Sequence, residues 1–165
     1  MSRLLHTLRH LHQYRDFALL LLCGVFYQAG VMVVIALAAI YAQEVMHFTV
    51  VQTMTLVLVV NVTAAIGAFA FGYVQDAIGH KPALALTLLL WLVMVLVAGL
   101  AVQVALFWLA ANLAGLAMGS SQSAGRAMVG LFAPSDRLAE FYGLWTFATQ
   151  LAAIIGPIGY GAVVY

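Results

Sequence analysis

The chain has 165 residues, of which 66% are hydrophobic and only 7% charged, and its formal net charge is +1. A soluble domain carries about 25% charged residues, so a soluble enzyme or a nucleic-acid-binding module is excluded. With a mean hydropathy of +1.11 the chain reads as a polytopic membrane protein, and at about 20 apolar residues per crossing it has room for five crossings and little else.

Residues 1–15 place Leu4, Leu8 and Leu11 at helical spacing among Arg3, Arg9 and Arg15, which predicts a cytoplasmic, interfacial amphipathic segment. His6 and His10 stand one helical turn apart, with His12 close by, but no carboxylate or thiol joins them in sequence. A solvated face near anionic lipid is therefore a simpler reading than a metal cluster. The apolar run that follows extends for about 25 residues without a small-residue cleavage site, so it predicts a retained span rather than a secretory signal. Cys23, the single cysteine, lies within it, so no intrachain disulfide and no paired-thiol metal site can form.

Residues 16–165 are predicted to be an all-α transmembrane bundle, with spans at roughly 17–41, 51–74, 82–101, 106–125 and 141–165. The first span holds Tyr27, Gln28 and Gly30 near its middle, where a polar group faces protein or a cavity because lipid offers it no partner. The next connection ends in Thr49-Val50-Val51-Gln52, a capping-box pattern. The second span holds Asn61 and Thr63 at mid-depth and a small-residue face at Ala64, Ala68 and Gly72, which suits packing against another helix.

The third span begins at Pro82 and is nearly pure Leu, Val and Ala, with Thr87 and Trp91 as minor exceptions; it is expected to be the most lipid-exposed. The apolar run from Ala83 to Met118 would be about 54 Å long as one helix, nearly twice the hydrocarbon thickness. It must turn back, and Gly99 to Ala105 is the expected place. The fourth span contains Asn112 and then Gly115-Leu116-Ala117-Met118-Gly119, a GxxxG contact, before the polar stretch Ser120 to Ser123 and Arg126. Ala133-Pro134-Ser135-Asp136 breaks the chain, and Asp136 and Glu140 suit the positive end of the following helix. The fifth span holds Thr146, Thr149 and Gln150, small residues at Ala148, Ala152 and Gly156, and Pro157 as an expected kink.

All six Lys and Arg residues lie at the amino terminus or in the second and fourth connections. The positive-inside rule then makes the amino terminus cytoplasmic. The second connection is the most informative stretch: Gly72-Tyr73-Val74-Gln75-Asp76-Ala77-Ile78-Gly79-His80-Lys81 puts three ionisable side chains in a tight reversal between two apolar runs. Gly72 would let a neighbouring helix approach closely, Gly79 can adopt the left-handed backbone that ends a helix, and Pro82 suits the first turn of the next.

That reversal resembles the signature turn of the major facilitator superfamily, G-x-x-x-D-R/K-x-G-R/K-R/K between the second and third helices of a repeat. Gly72, Asp76, Gly79 and Lys81 match; Ala77 and His80 replace two basic residues, a loosened form found in the second half of such transporters. Gly119-Ser-Ser-Gln122-Ser-Ala-Gly-Arg126, Ala133-Pro134, Glu140-Phe141-Tyr142-Gly143 and Gly156-Pro157 together resemble the carboxy-terminal half of the vacuole-effluxer family, named for a fungal autophagy-related amino-acid effluxer and widespread as bacterial permeases. The resemblance covers the chain from about Tyr14.

It implies a secondary transporter of a small polar solute, such as an amino acid, working by alternating access between two six-helix bundles in a bacterial plasma membrane. It further implies that Asp76 faces the positive end of a helix in the opposite half when the cytoplasmic gate is shut, with Lys81 and Arg126 available for a charge network with Asp76, Asp136 or Glu140. In the family fold the first and fourth helices line the cavity, which would put Tyr27, Gln28 and Asn112 there, with Asn61 and Gln150 on flanking helices. Each of these could equally make an ordinary interhelical hydrogen bond, worth about 0.6 kcal/mol. Ala29 stands where the family would place an acid, which removes the obvious intramembrane proton carrier.

Five spans are fewer than six or twelve, so a missing amino-terminal half or a partner chain is expected. No cofactor, metal or nucleic acid is expected as a ligand. A membrane-embedded enzyme would need a nucleophile and a base at membrane depth, and every histidine lies at or outside the interface. A non-transporting assembly or regulatory subunit, joined to a partner through small-residue seams, is the alternative.

Overall fold

The structure is a computed structural model that describes residues 14–164. The amphipathic segment expected at the amino terminus lies, but for its last residues, outside the described part. Five helices follow: α1 (Arg15–Glu44), α2 (Val50–Ile78), α3 (His80–Gly99), α4 (Val104–Phe132) and α5 (Leu138–Val164). All five are long and apolar enough to cross a membrane, and no strand occurs among the described residues. The described residues form an all-α integral membrane bundle, consistent with the partial six-helix half expected.

In these helices the backbone satisfies itself, and most side-chain polar groups do the same. Thr55 donates to the Val51 carbonyl at 2.8 Å, Asn61 to Val57 at 2.8 Å and Thr63 to Val59 at 3.0 Å. Ser120 and Ser121 donate to the Ala117 and Met118 carbonyls at 3.0 and 3.1 Å. Because the serines bond within the helix, the polar stretch 120–123 does not interrupt α4, which runs on to Phe132. α5 likewise continues through Pro157, whose missing N–H removes one bond to the preceding turn.

The described residues form two compact units. In the unit Ala39–Gly125, α2 and α4 approach closely through glycines. A side chain on Gly119 would fall on the Ala64 carbonyl, one on Gly115 on Thr63 and Val60, and one on Gly67 on the Leu116 backbone. The GxxxG reading of α4 is thus met, but the matching face of α2 runs through Thr63, Ala64 and Gly67. The expected close approach at Gly72 is not made: nothing lies within 4 Å of where its Cβ would be.

The reason is register, since Gly67 and Thr63 are one turn apart and bracket Ala64, whereas Gly72 sits beyond the seam. α3, expected to be the most lipid-exposed, instead buries Ala83, Thr87, Trp91 and Met94. Their spacing of four, four and three makes one helical stripe, and the Trp91 indole donates to the Ser121 hydroxyl at 3.5 Å.

The second unit comprises residues 14–38 and 126–164. Phe17, Val129, Phe141 and Leu144 form its buried cluster, with the Phe17 and Phe141 rings 4.4 Å apart and Tyr14 edge-on to Phe141 at 5.2 Å. Along α1 and α5, Gly24 accommodates the Trp145 indole and Gly156 lies against the Ala29 backbone. Asp136, expected to cap α5, lies two residues before its first helical position, and its carboxylate sits 3.7 Å from Arg137 Nε.

Candidate functional site: the turn between α2 and α3

The two helices are joined by a single residue. α2 ends at Ile78, α3 starts at His80, and Gly79 between them has φ 87° and ψ 167°. The positive φ expected of this glycine is present. Its ψ puts it in a region reached essentially by glycine alone rather than in the left-handed helical well. The Gly79 N–H donates to the Gln75 carbonyl at 2.9 Å, and its own carbonyl accepts from Ala83 at 3.2 Å. Pro82 therefore occupies a first-turn position, where no intrahelical N–H bond is needed.

Asp76 is exposed one turn before this junction. It lies near the negative end of the α2 dipole, where a carboxylate is disfavoured. No basic residue occupies that last turn; of the residues named for a charge network, Asp136 lies 3.7 Å from Arg137 Nε. Lys81 is exposed as well. An exposed carboxylate at this end of α2 adds nothing to the helix that bears it.

Gln75, which sequence reasoning did not single out, is the residue the turn is built around. Its side chain is 5% exposed, while Asp76, Ala77 and Ile78 beside it are exposed. Gln75 Nε2 lies 2.6 Å from His80 Nδ1. At that distance the amide and the ring nitrogen are hydrogen-bonded. The sequence offers only a glutamine five residues before a histidine across a glycine, and not its burial.

The other expected site residues fall in both units. In the unit Ala39–Gly125, Asn61 is exposed on α2 and Asn112 half-buried on α4. Each spends its amide on its own helix, to Val57 and Trp108, both at 2.8 Å. In the other unit, Tyr27 and Gln28 are half-buried on α1, Gln150 is exposed on α5, and Arg126 is exposed while its carbonyl accepts from the Tyr142 hydroxyl at 3.1 Å. Among the described residues no group of three or more His, Cys, Asp and Glu is arranged to hold a metal.

Comparison with known proteins agrees with this architecture. A 157-residue stretch is 24% identical to an uncharacterised MFS-type transporter, YxiO, of Bacillus subtilis strain 168, covering 95% of the present chain and 36% of that protein. The chain thus spans about a third of the length of that curated relative. No solved structure matches. The model of the family described as vacuole effluxer Atg22 like matches residues 1–164, and the chain belongs to that family.

Proposed function

We propose that this chain is a carboxy-terminal-half bundle of a secondary transporter that moves a small polar solute by alternating access, with Asp76 biasing the balance between inward-open and outward-open states. Amino acids are the first solutes to test. The amino terminus, Lys81, Arg126 and Arg137 face the cytoplasm in this reading, and a further set of helices completes the pathway.

The observation that supports the gating role is the exposed Asp76 carboxylate, in the last turn of α2 just before the one-residue junction, at a helix end that disfavours it, in a chain of this family. A side chain of no benefit to its own helix is suited to a partner that comes and goes. The positive end of another helix is such a partner, contributing about 0.3–2 kcal/mol, enough to shift a two-state equilibrium without freezing it. Tyr27, Gln28 and Gln150 in one unit, and Asn61 and Asn112 in the other, are each proposed separately as candidate solute contacts.

The test is Asp76→Asn in the complete polypeptide. The expected result is a shift of roughly two- to thirtyfold in the ratio of cysteine labelling at the two membrane faces, with solute affinity changed less. An unchanged ratio together with unchanged transport kinetics would remove Asp76 from the gate. Uptake and efflux by reconstituted vesicles, screened first with amino acids, test transport itself.

A further inference from the structure

We infer that Gln75 and His80 form a hydrogen-bonded clasp that positions Asp76. This rests on the gating role proposed for Asp76.

The geometry is specific to the turn. Gln75 contacts the junction twice: its carbonyl accepts the Gly79 N–H at 2.9 Å, and its buried side-chain amide reaches His80 Nδ1 at 2.6 Å. These two bonds span the last turn of α2 and the first residue of α3. Nothing lies within 4 Å of the Gly79 Cβ position, so no side-chain packing braces the junction at that residue. The clasp adds a side-chain bond across it.

Asp76 directly follows Gln75 on the same helical turn, so fixing Gln75 fixes where the carboxylate is presented. A buried amide left without its partner would cost more than the bond itself contributes. The intact pair is therefore strongly preferred to a broken one. His80 Nδ1 is the partner that the buried Gln75 amide reaches. The charged side chains flanking the clasp in the turn are Asp76 on α2 and Lys81 on α3, and both are exposed.

The experiment uses the complete polypeptide in membranes, in a Cys23→Ser background, with reporter cysteines at each face. Gln75→Leu and His80→Ala are each expected to shift the labelling ratio about two- to tenfold, the equivalent of one neutral hydrogen bond, in the direction of Asp76→Asn. His80→Gln, which keeps a hydrogen-bonding side chain, is expected to stay within about twofold of the parent. Gln75→Leu added to Asp76→Asn should shift the ratio no further, because both act through one carboxylate.

Additive shifts in that double variant would make the pair a structural contact independent of Asp76 and overturn the inference. So would an unshifted ratio in Gln75→Leu or His80→Ala while Asp76→Asn does shift it, an outcome that leaves the gating role standing. An unshifted Asp76→Asn removes both. If Gln75→Leu fails to accumulate, the contrast between His80→Ala and His80→Gln carries the test.

Discussion

The two connections that flank α2 are opposites. The α1–α2 connection is closed by packing: Ala42, Phe48, Leu56, Ala101 and Phe107 are buried together, with Tyr41, Met46 and Trp108 against them. Phe48 lies edge-on to Phe107 at 5.6 Å and stacks on Trp108 at 5.9 Å, and the Tyr41 hydroxyl donates to the Ala101 carbonyl at 3.0 Å. The α2–α3 connection has one residue, no such cluster, and a single buried polar side chain. Ring packing among the end of α1, the α1–α2 connection and the start of α4 has many contacts, whereas a one-residue glycine junction with a hydrogen-bonded clasp has few. The first end is braced by ring packing, and the second by two hydrogen bonds from Gln75.

The comparison breaks most visibly if the aromatic end proves dispensable. Phe107 is 5% exposed and stacks on Tyr41 at 5.7 Å as well as meeting Phe48. Phe107→Ala removes both ring contacts, each worth about 0.5–1.5 kcal/mol beyond burial, and leaves a cavity, for a total near 3 kcal/mol. The measurement is resistance to detergent unfolding, where a large loss is expected, alongside the labelling ratio at the α2–α3 face, which should stay as in the parent. A variant that keeps its stability but changes that ratio would mean the two ends are not separate in role.

How far the sequence carried this contrast differs between the ends. The number of crossings followed from apolar length alone, because span thickness is set by the bilayer. The helix start at Thr49 was legible because capping is local: the Thr49 hydroxyl accepts from the Gln52 N–H at 3.3 Å and Gln52 Oε1 accepts from the Thr49 N–H at 2.8 Å. The positive φ at Gly79 was legible for the same reason.

What was not legible depends on register between helices. Small residues at Ala64, Ala68 and Gly72 look equivalent in sequence, but only the position facing Gly119 is used, and the Gly67 contact with Leu116 could be found only once the crossing was fixed. The stripe on α3 was hidden by uniform apolarity, since a helix of Leu, Val and Ala has no contrast from which to read a face. Gln75 was hidden because a lone polar residue beside an aspartate looks like surface.

A smaller effect sharpens the account of the hinge. At Gly79 an added methyl would meet no atom within 4 Å, so the whole cost of Gly79→Ala is backbone strain at φ 87°, ψ 167°, about 1–3 kcal/mol. The strain is relieved by changing the angle between α2 and α3, and the clasp resists that change. Gly79→Ala is therefore expected to lower thermal stability moderately and to shift the labelling ratio, both at once. Loss of stability with an unmoved ratio would mean the turn tolerates a new backbone without moving Asp76, and the clasp account would lose its basis.

The smallest effect tests whether the fixed end depends on its cap or on its rings. Thr49→Ala deletes the hydroxyl that accepts from Gln52, and a lost N-cap costs about 1 kcal/mol. Here the preceding residue, Phe48, is anchored by two rings, and its N–H donates to the Ala42 carbonyl at 2.9 Å. The chain therefore enters α2 from a position already fixed by packing, and fraying of the first turn has nowhere to spread. The expected loss is at most about 1 kcal/mol, with hydrogen exchange raised only over residues 50–53. Exchange spreading into the Ala42 and Phe48 amides would show that the cap, and not the aromatic cluster, holds that end closed.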